Sequence, residues 1–142
     1  MASCSINDWV LLEELSNINK KIIISTAGAS YRTLQKVYKL FKSKGRDFAF
    51  MHCIGEYPTP VENSNLNRIT KLRTLFPDIE IGISTHESPE QKSMCSHAVA
   101  MGCTIIEKHV GVKTSEIDLN LYSNTPDQMR KVIDEVKVIP RS

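Results

Sequence analysis

The sequence has no excess of charge of one sign. Its 18 Lys and Arg face 16 Asp and Glu for a net charge of +2, which offers no basic field able to draw nucleic acid or anionic lipid. It also lacks any apolar run near the roughly 20 residues that a membrane span needs. The opening MASCSINDW has neither the basic nor the apolar region of a signal peptide, so a soluble, cytoplasmic protein without membrane contact is expected. Cys4, Cys53, Cys95 and Cys103 make no CxxC pair and no disulfide framework; reduced, mostly buried thiols follow. Low-complexity segments are missing, and no two strand-like runs are close enough for a hairpin.

What remains is a rhythm. Short apolar runs alternate with longer amphipathic stretches, the pattern of repeated βα units on a parallel sheet. Five strands are predicted, at Met1 to Cys4, Lys21 to Ser25, Phe48 to Cys53, Ile79 to Thr85 and Thr104 to His109. The chain, 142 residues read as a single domain, is well short of the about 250 that eight such units occupy in a closed barrel.

The intervening stretches carry helix grammar. Leu34, Val37, Leu40 and Phe41 make one buried stripe, and Leu66, Ile69, Leu72 and Phe76 a second. Ser88-Pro89-Glu90-Gln91 reads as a helix start, with Ser88 as cap and Gln91 completing a capping box, and Gly102 as its end. Thr125-Pro126-Asp127-Gln128 repeats that start ahead of the stripe Met129, Val132, Ile133 and Val136. The one long irregular stretch, Ile54 to Ser64 with Pro58 and Pro60, follows a strand C-terminus, where loops build α/β active sites.

Strand parity locates the candidate chemistry. In IEIGISTH, Ile79, Ile81 and Ile83 share one face, and Gly82, Ser84 and His86 share the other. In TIIEKH, Glu107 and His109 fall together at the C-terminal end. On neighbouring strands, about 4.8 Å apart, the two imidazoles can share one divalent metal and leave positions open for water and substrate. Glu107 could then orient a ligand or act as acid or base. The plainer alternative, in which each histidine only hydrogen-bonds at its strand end, stays open on spacing alone. His52 reads as a satisfied core histidine and His97 as a surface or boundary residue. The turn Ser25-Thr26-Ala27-Gly28-Ala29-Ser30 is either a phosphate cradle or ordinary capping chemistry.

Taken together, STAGAS, MHCIGEYPTP, IGISTH and IIEKH, in this order and spacing, resemble the N-acetylneuraminate (sialic acid) synthase family. The likeness runs from Met1 to about Arg130 and corresponds to that family's barrel from its fourth strand to its eighth. The resemblance implies an α/β fold, a partial TIM (β/α)8 barrel of about five parallel βα units. It implies a carbon–carbon bond-forming transferase that joins phosphoenolpyruvate to an N-acetylated hexosamine such as N-acetylmannosamine, with Mn²⁺ or Mg²⁺ as cofactor and phosphate as product. By motif, His86 and His109 match metal ligands, with Glu107 beside them in the catalytic set. Ser25 and Ser84 match phosphoenolpyruvate contacts, Tyr57 matches the sugar pocket, and Asp118 or Asn120, with Asn120 preferred, matches a sugar-hydroxyl contact.

The chain departs from the family pattern at Ser5, Gly55 and Thr85, where glutamate, asparagine and aspartate are common, which implies a divergent subgroup with a different sugar. The family's lysine on its fourth strand would fall just before Met1, and the C-terminal antifreeze-like domain has no counterpart. A fragment or split subunit is therefore expected, completed by a complementary chain or a homodimer. The competing expectations are a non-catalytic remnant that binds a metal or a partner chain, and a self-contained open sheet in which the histidines are incidental.

Overall fold

Runs rich in Ile and Phe become the strands β1 (Ile22–Ser25), β2 (Phe48–Cys53), β3 (Glu80–Thr85) and β4 (Ile105–Lys108), as expected for β-branched and aromatic side chains that pack well on a pleated surface. The computed structural model describes residues 1–140; positions 141 and 142 of the expected single domain lie outside the described residues. The strands pair in chain order, all parallel, as one four-stranded sheet. Helices α1 (Trp9–Asn17), α2 (Tyr31–Ser43), α3 (Asn67–Leu75), α4 (Met94–Ala100) and α5 (Pro126–Lys137) alternate with them. The result is a curled half-barrel, the expected partial TIM-type α/β fold.

The register sets two faces. Phe50 lies opposite Ile81 and Ile24 opposite Phe50, and these residues, with Phe48 and Ile83, join the core against Leu34, Val37 and Phe41 of α2 and Ile69 and Leu72 of α3. Ring contacts Phe41–Phe48 at 5.2 Å, Phe48–Phe50 at 5.5 Å and Phe50–Phe76 at 5.2 Å run through it. Both predicted stripes are thus core, and each fully buried member contributes roughly 1.5–3 kcal/mol. The opposite parity, with Ser25, Met51, Cys53, Ser84 and Glu107, faces the barrel interior. Gly82 is needed on that face: a Cβ there would come within 2.3 Å of Met51 Sδ and 2.7 Å of the Ile105 carbonyl oxygen.

Two expectations are corrected. Met1 to Cys4 is no strand. The Met1 amino group donates to the Ile23 carbonyl at 2.6 Å and Ser25 N–H donates to the Met1 carbonyl at 3.0 Å, but Ser3–Ser5 then turns as a 3₁₀ segment. Asp8 captures the next backbone donors, accepting from Leu11 N–H at 3.0 Å as the cap of α1. The second correction concerns α4, which starts at Met94 and not after Ser88. Ser88 to Gln91 closes as a turn, with Gln91 N–H donating to the Ser88 carbonyl at 2.9 Å, and Ser93 is the cap, accepting from Cys95 N–H. The anticipated end holds: Gly102, at φ +91°, follows α4. At α5 the Thr125–Gln128 capping box forms as read, although only Val132 of its stripe is buried.

Candidate active site

The C-terminal ends of the four strands open into a cavity of about 330 Å³. Ser25 from β1, Cys53 from β2, Ser84 from β3 and Glu107 from β4 line it, with His86 and His109 just beyond the last two strands and Tyr57 from the following loop. A larger depression, about 630 Å³, lies at the opposite ends of the strands around Lys42 and Asp78. There the charges neutralise each other, Lys42 Nζ being 2.6 Å from Asp78 Oδ2, and in barrels that end serves stability rather than chemistry.

His86 is buried and His109 exposed, and their rings stand 5.2 Å apart between centroids. The His86 carbonyl accepts from Thr59 N–H at 2.9 Å, and the His109 carbonyl accepts from Asn124 N–H at 2.9 Å. His86 Nδ1 is buried without a partner. Burial, reinforced by the charge of His109, holds the His86 imidazole below its usual pKa, which favours the neutral form that ligates metals. Tyr57 lies 4.3 Å from the His86 ring and 5.4 Å from that of Tyr122. Tyr122 in turn sits 5.8 Å from His86 and 5.0 Å from His109, so it packs against the three rings, Tyr57, His86 and His109, that line the cavity.

The other side is hydroxylic and acidic. Ser84 Oγ donates to Glu107 Oε1 at 2.7 Å, and these residues are paired across the β3–β4 ladder. Burial pushes the Cys53 thiol up, so it stays protonated and is no nucleophile. The STAGAS turn takes the capping role: Thr26 Oγ1 donates to the Met51 carbonyl at 2.9 Å, and Ser30 caps α2 by accepting from Thr33 N–H at 3.1 Å. Only Ser25 of that turn lines the cavity.

Asp118 and Asn120 are not brought to this point. Both are exposed on the segment between His109 and α5, where Asp118 pairs with Lys113 at 3.0 Å and Asn120 Oδ1 accepts from Tyr122 N–H at 3.2 Å. The segment is closed at its base by Gly111 N–H donating to the Asn124 carbonyl at 3.0 Å, and Tyr122 is the residue it returns to the histidines. His52 is a core histidine, its Nε2 2.8 Å from the Ser64 carbonyl, and His97 is exposed. All four cysteines are free and all but Cys4 are buried; burial carries the Cys103 thiol up to about 12.

Sequence reading missed Tyr122 and an ion pair behind the rim. Lys108 Nζ lies 2.8 Å from Glu87 Oε1 with both side chains 1% exposed. Burial alone would raise the Glu87 carboxyl, but the hydrogen bond and charge of Lys108 hold it below the usual range. Parity was the available signal, since it puts both charges on the buried, helix-facing side of their strands.

No three His, Cys, Asp or Glu side chains converge as a complete metal cage among the described residues. Two imidazoles facing one cavity, one of them held neutral, nevertheless suit a divalent ion whose remaining ligands are water and substrate.

The NeuB family pattern matches residues 1–142. The spore coat polysaccharide biosynthesis protein SpsE of Bacillus subtilis is 33% identical over 144 residues, covering 96% of this chain and 37% of the relative. The N-acetylneuraminate-9-phosphate synthase of Mus musculus is 31% identical over 137 residues, covering 96% of this chain and 38% of the relative. The crystal structure of the N-acetylneuraminic acid (sialic acid) synthetase of Leptospira borgpetersenii superposes with a TM-score of 0.89 at 30% identity, over 98% of this chain and 48% of that one. The chain therefore spans less than half of each of these three proteins.

Proposed function

From the premise that the chain belongs to the NeuB family, we propose that the whole protein condenses phosphoenolpyruvate with an N-acetylated hexosamine aldehyde, giving a sialic-acid-type nonulosonate and phosphate. The observation that carries this reading is the convergence of His86, His109, Tyr57, Ser25, Ser84 and Glu107 on one cavity at the strand C-termini. Names support it too: relatives include synthases of N-acetylneuraminate-9-phosphate, pseudaminic acid and N,N'-diacetyllegionaminic acid.

In this reading His86 and His109 hold Mn²⁺ or Mg²⁺, which when bound supplies Lewis-acid polarisation of the aldehyde oxygen. Ser25 and Ser84 donate hydroxyl hydrogen bonds to the anionic groups of phosphoenolpyruvate. C3 of phosphoenolpyruvate forms the new bond to the aldehyde carbon, whose oxygen takes a proton. Water then adds at C2, and loss of phosphate leaves the ketone. Glu107 stands where a carboxylate can move one of these protons. The Tyr57 ring packs against the sugar. The substrates are cytoplasmic metabolites, and the reaction belongs in that compartment.

Calorimetry with Mn²⁺ on the full-length protein tests the core of this reading. Binding should be present in the wild type and lost in both His86→Ala and His109→Ala, and phosphate release from phosphoenolpyruvate plus N-acetylmannosamine should be lost with it. Retained binding in either variant would defeat the shared site. Absence of phosphate release from a folded wild type, with several hexosamines tried, would return the protein to the non-catalytic reading.

A further inference from the structure

The last ladder pair between β3 and β4 joins Thr85 to Lys108. Each histidine stands one residue past that last register pair, with its carbonyl held by a loop, His86 by Thr59 N–H and His109 by Asn124 N–H, each at 2.9 Å. On the face away from the cavity, the residue after His86 meets the residue before His109. Glu87 and Lys108 form a 2.8 Å ion pair with both side chains 1% exposed. The same Lys108 Nζ donates to Thr85 Oγ1 at 3.0 Å, and Glu87 Oε1 also accepts from Met94 N–H at 3.2 Å. The pair thus ties the end of β3, the end of β4 and the first turn of α4 into one unit.

We propose that Glu87 and Lys108 are positioning residues that clamp the two strand ends beyond their ladder and so fix the separation of the His86 and His109 imidazoles. The proposal rests on the reading of those histidines as a shared metal pair. Stability alone does not account for the clamp, because a buried ion pair is often matched or bettered by apolar side chains of similar volume. Its place does: one partner adjoins each histidine, and neither charge reaches the cavity. Groups behind metal-binding histidines commonly govern affinity by holding the ligands in position, and here the hold is transmitted through one peptide unit on each strand.

The test uses the full-length protein and the paired substitution Glu87→Leu with Lys108→Met, which removes both charges without orphaning either. Mn²⁺ affinity measured by calorimetry should fall about tenfold or more, while circular dichroism and melting stay near wild type. A second readout needs no metal. With His86→Cys and His109→Cys in place, disulfide closure, which demands a narrow Cα separation, should be slower in the clamp-free background than with the clamp intact. Should the paired substitution melt early, Glu87→Asp keeps both charges and withdraws the carboxylate by one methylene, and it should also lower Mn²⁺ affinity. Unchanged affinity together with an unchanged closure rate overturns the clamp. Wild type that binds no Mn²⁺, or His86→Ala that binds as well as wild type, overturns the metal reading instead, and the closure rate then decides the clamp by itself.

Discussion

The ring of Tyr122 stands edge-on to that of His109, 5.0 Å between centroids and 86° between planes. Its placement depends on the closed base of the preceding segment, where Asn124 N–H donates to the His109 carbonyl at 2.9 Å. The ring also touches Tyr57 at 5.4 Å, so one side chain joins both histidine and tyrosine walls.

Truncating that ring should loosen the site. Aromatic contacts are worth about 0.5–1.5 kcal/mol per pair beyond burial, and about 1.4 kcal/mol is tenfold in rate. Tyr122→Ala is expected to lower kcat/KM for the sugar by about tenfold or more, whereas Tyr122→Phe stays within a few-fold of wild type. Equal kinetics for Tyr122→Ala and wild type would show the ring to be a bystander.

Features set by strand parity are legible in the sequence, whereas contacts that depend on how a distant segment closes are not. Period-two alternation put Ser84 and His86 on one face and Glu107 and His109 on one face, and a parallel register needs only adjacency to unite them. Capping at Thr125 was legible because the signal is local. The start of α4 was not: Ser88 and Ser93 are both competent caps, and the buried Glu87 carboxylate decides between them by holding Met94 N–H. Tyr122 was invisible for a similar reason. Nothing local says that Asn124 will close the base of its segment on His109 and Gly111, so the resemblance pointed to Asp118 and Asn120 of that segment and not to Tyr122, the residue that reaches the histidines.

Glu107 accepts the Ser84 hydroxyl at 2.7 Å while its side chain opens on the cavity. If the carboxylate moves a proton in the reaction, Glu107→Gln should lower kcat by about 10²–10⁴ with a much smaller effect on Mn²⁺ affinity. Steady-state kinetics paired with calorimetry separates the two. A loss of Mn²⁺ binding as large as the loss of kcat would reassign Glu107 to holding the metal.

Gly82 predicts a purely structural effect. An added Cβ would meet the Ile105 carbonyl oxygen at 2.7 Å and its Cβ at 2.8 Å, and the backbone of a paired strand cannot step aside as a flexible side chain can. Gly82→Ala should therefore destabilise by about 1–3 kcal/mol, the usual range for overpacking, read as a lower urea midpoint with an unchanged slope. Wild-type stability would mean that β4 shifts freely on β3, at odds with the ladder between them.

His52 supplies a pH dependence whose sign can be worked out. Its ring is 1% exposed, with Nε2 2.8 Å from the Ser64 carbonyl and Nδ1 buried without a partner. Desolvation is the main influence and lowers the pKa below the ordinary 6.5; the Ser64 bond opposes it, and nearby Arg68 adds to the lowering. With the folded value depressed, the unfolded chain takes up the proton first as pH falls. Stability is therefore full above about 6.5 and is lost as pH drops through that value toward the folded pKa, since the slope follows the extra protons bound by the unfolded state. His86 is depressed as well, so the wild-type curve contains both groups and the comparison with a variant isolates one. His52→Gln can still donate to the Ser64 carbonyl but cannot titrate. Urea unfolding between about pH 7.5 and 5 should show stability falling less steeply in His52→Gln than in the wild type, with the two curves nearly parallel above pH about 7. Parallel curves over the whole range would mean that His52 takes up its proton equally in both states, and that the buried Nδ1 is satisfied when charged.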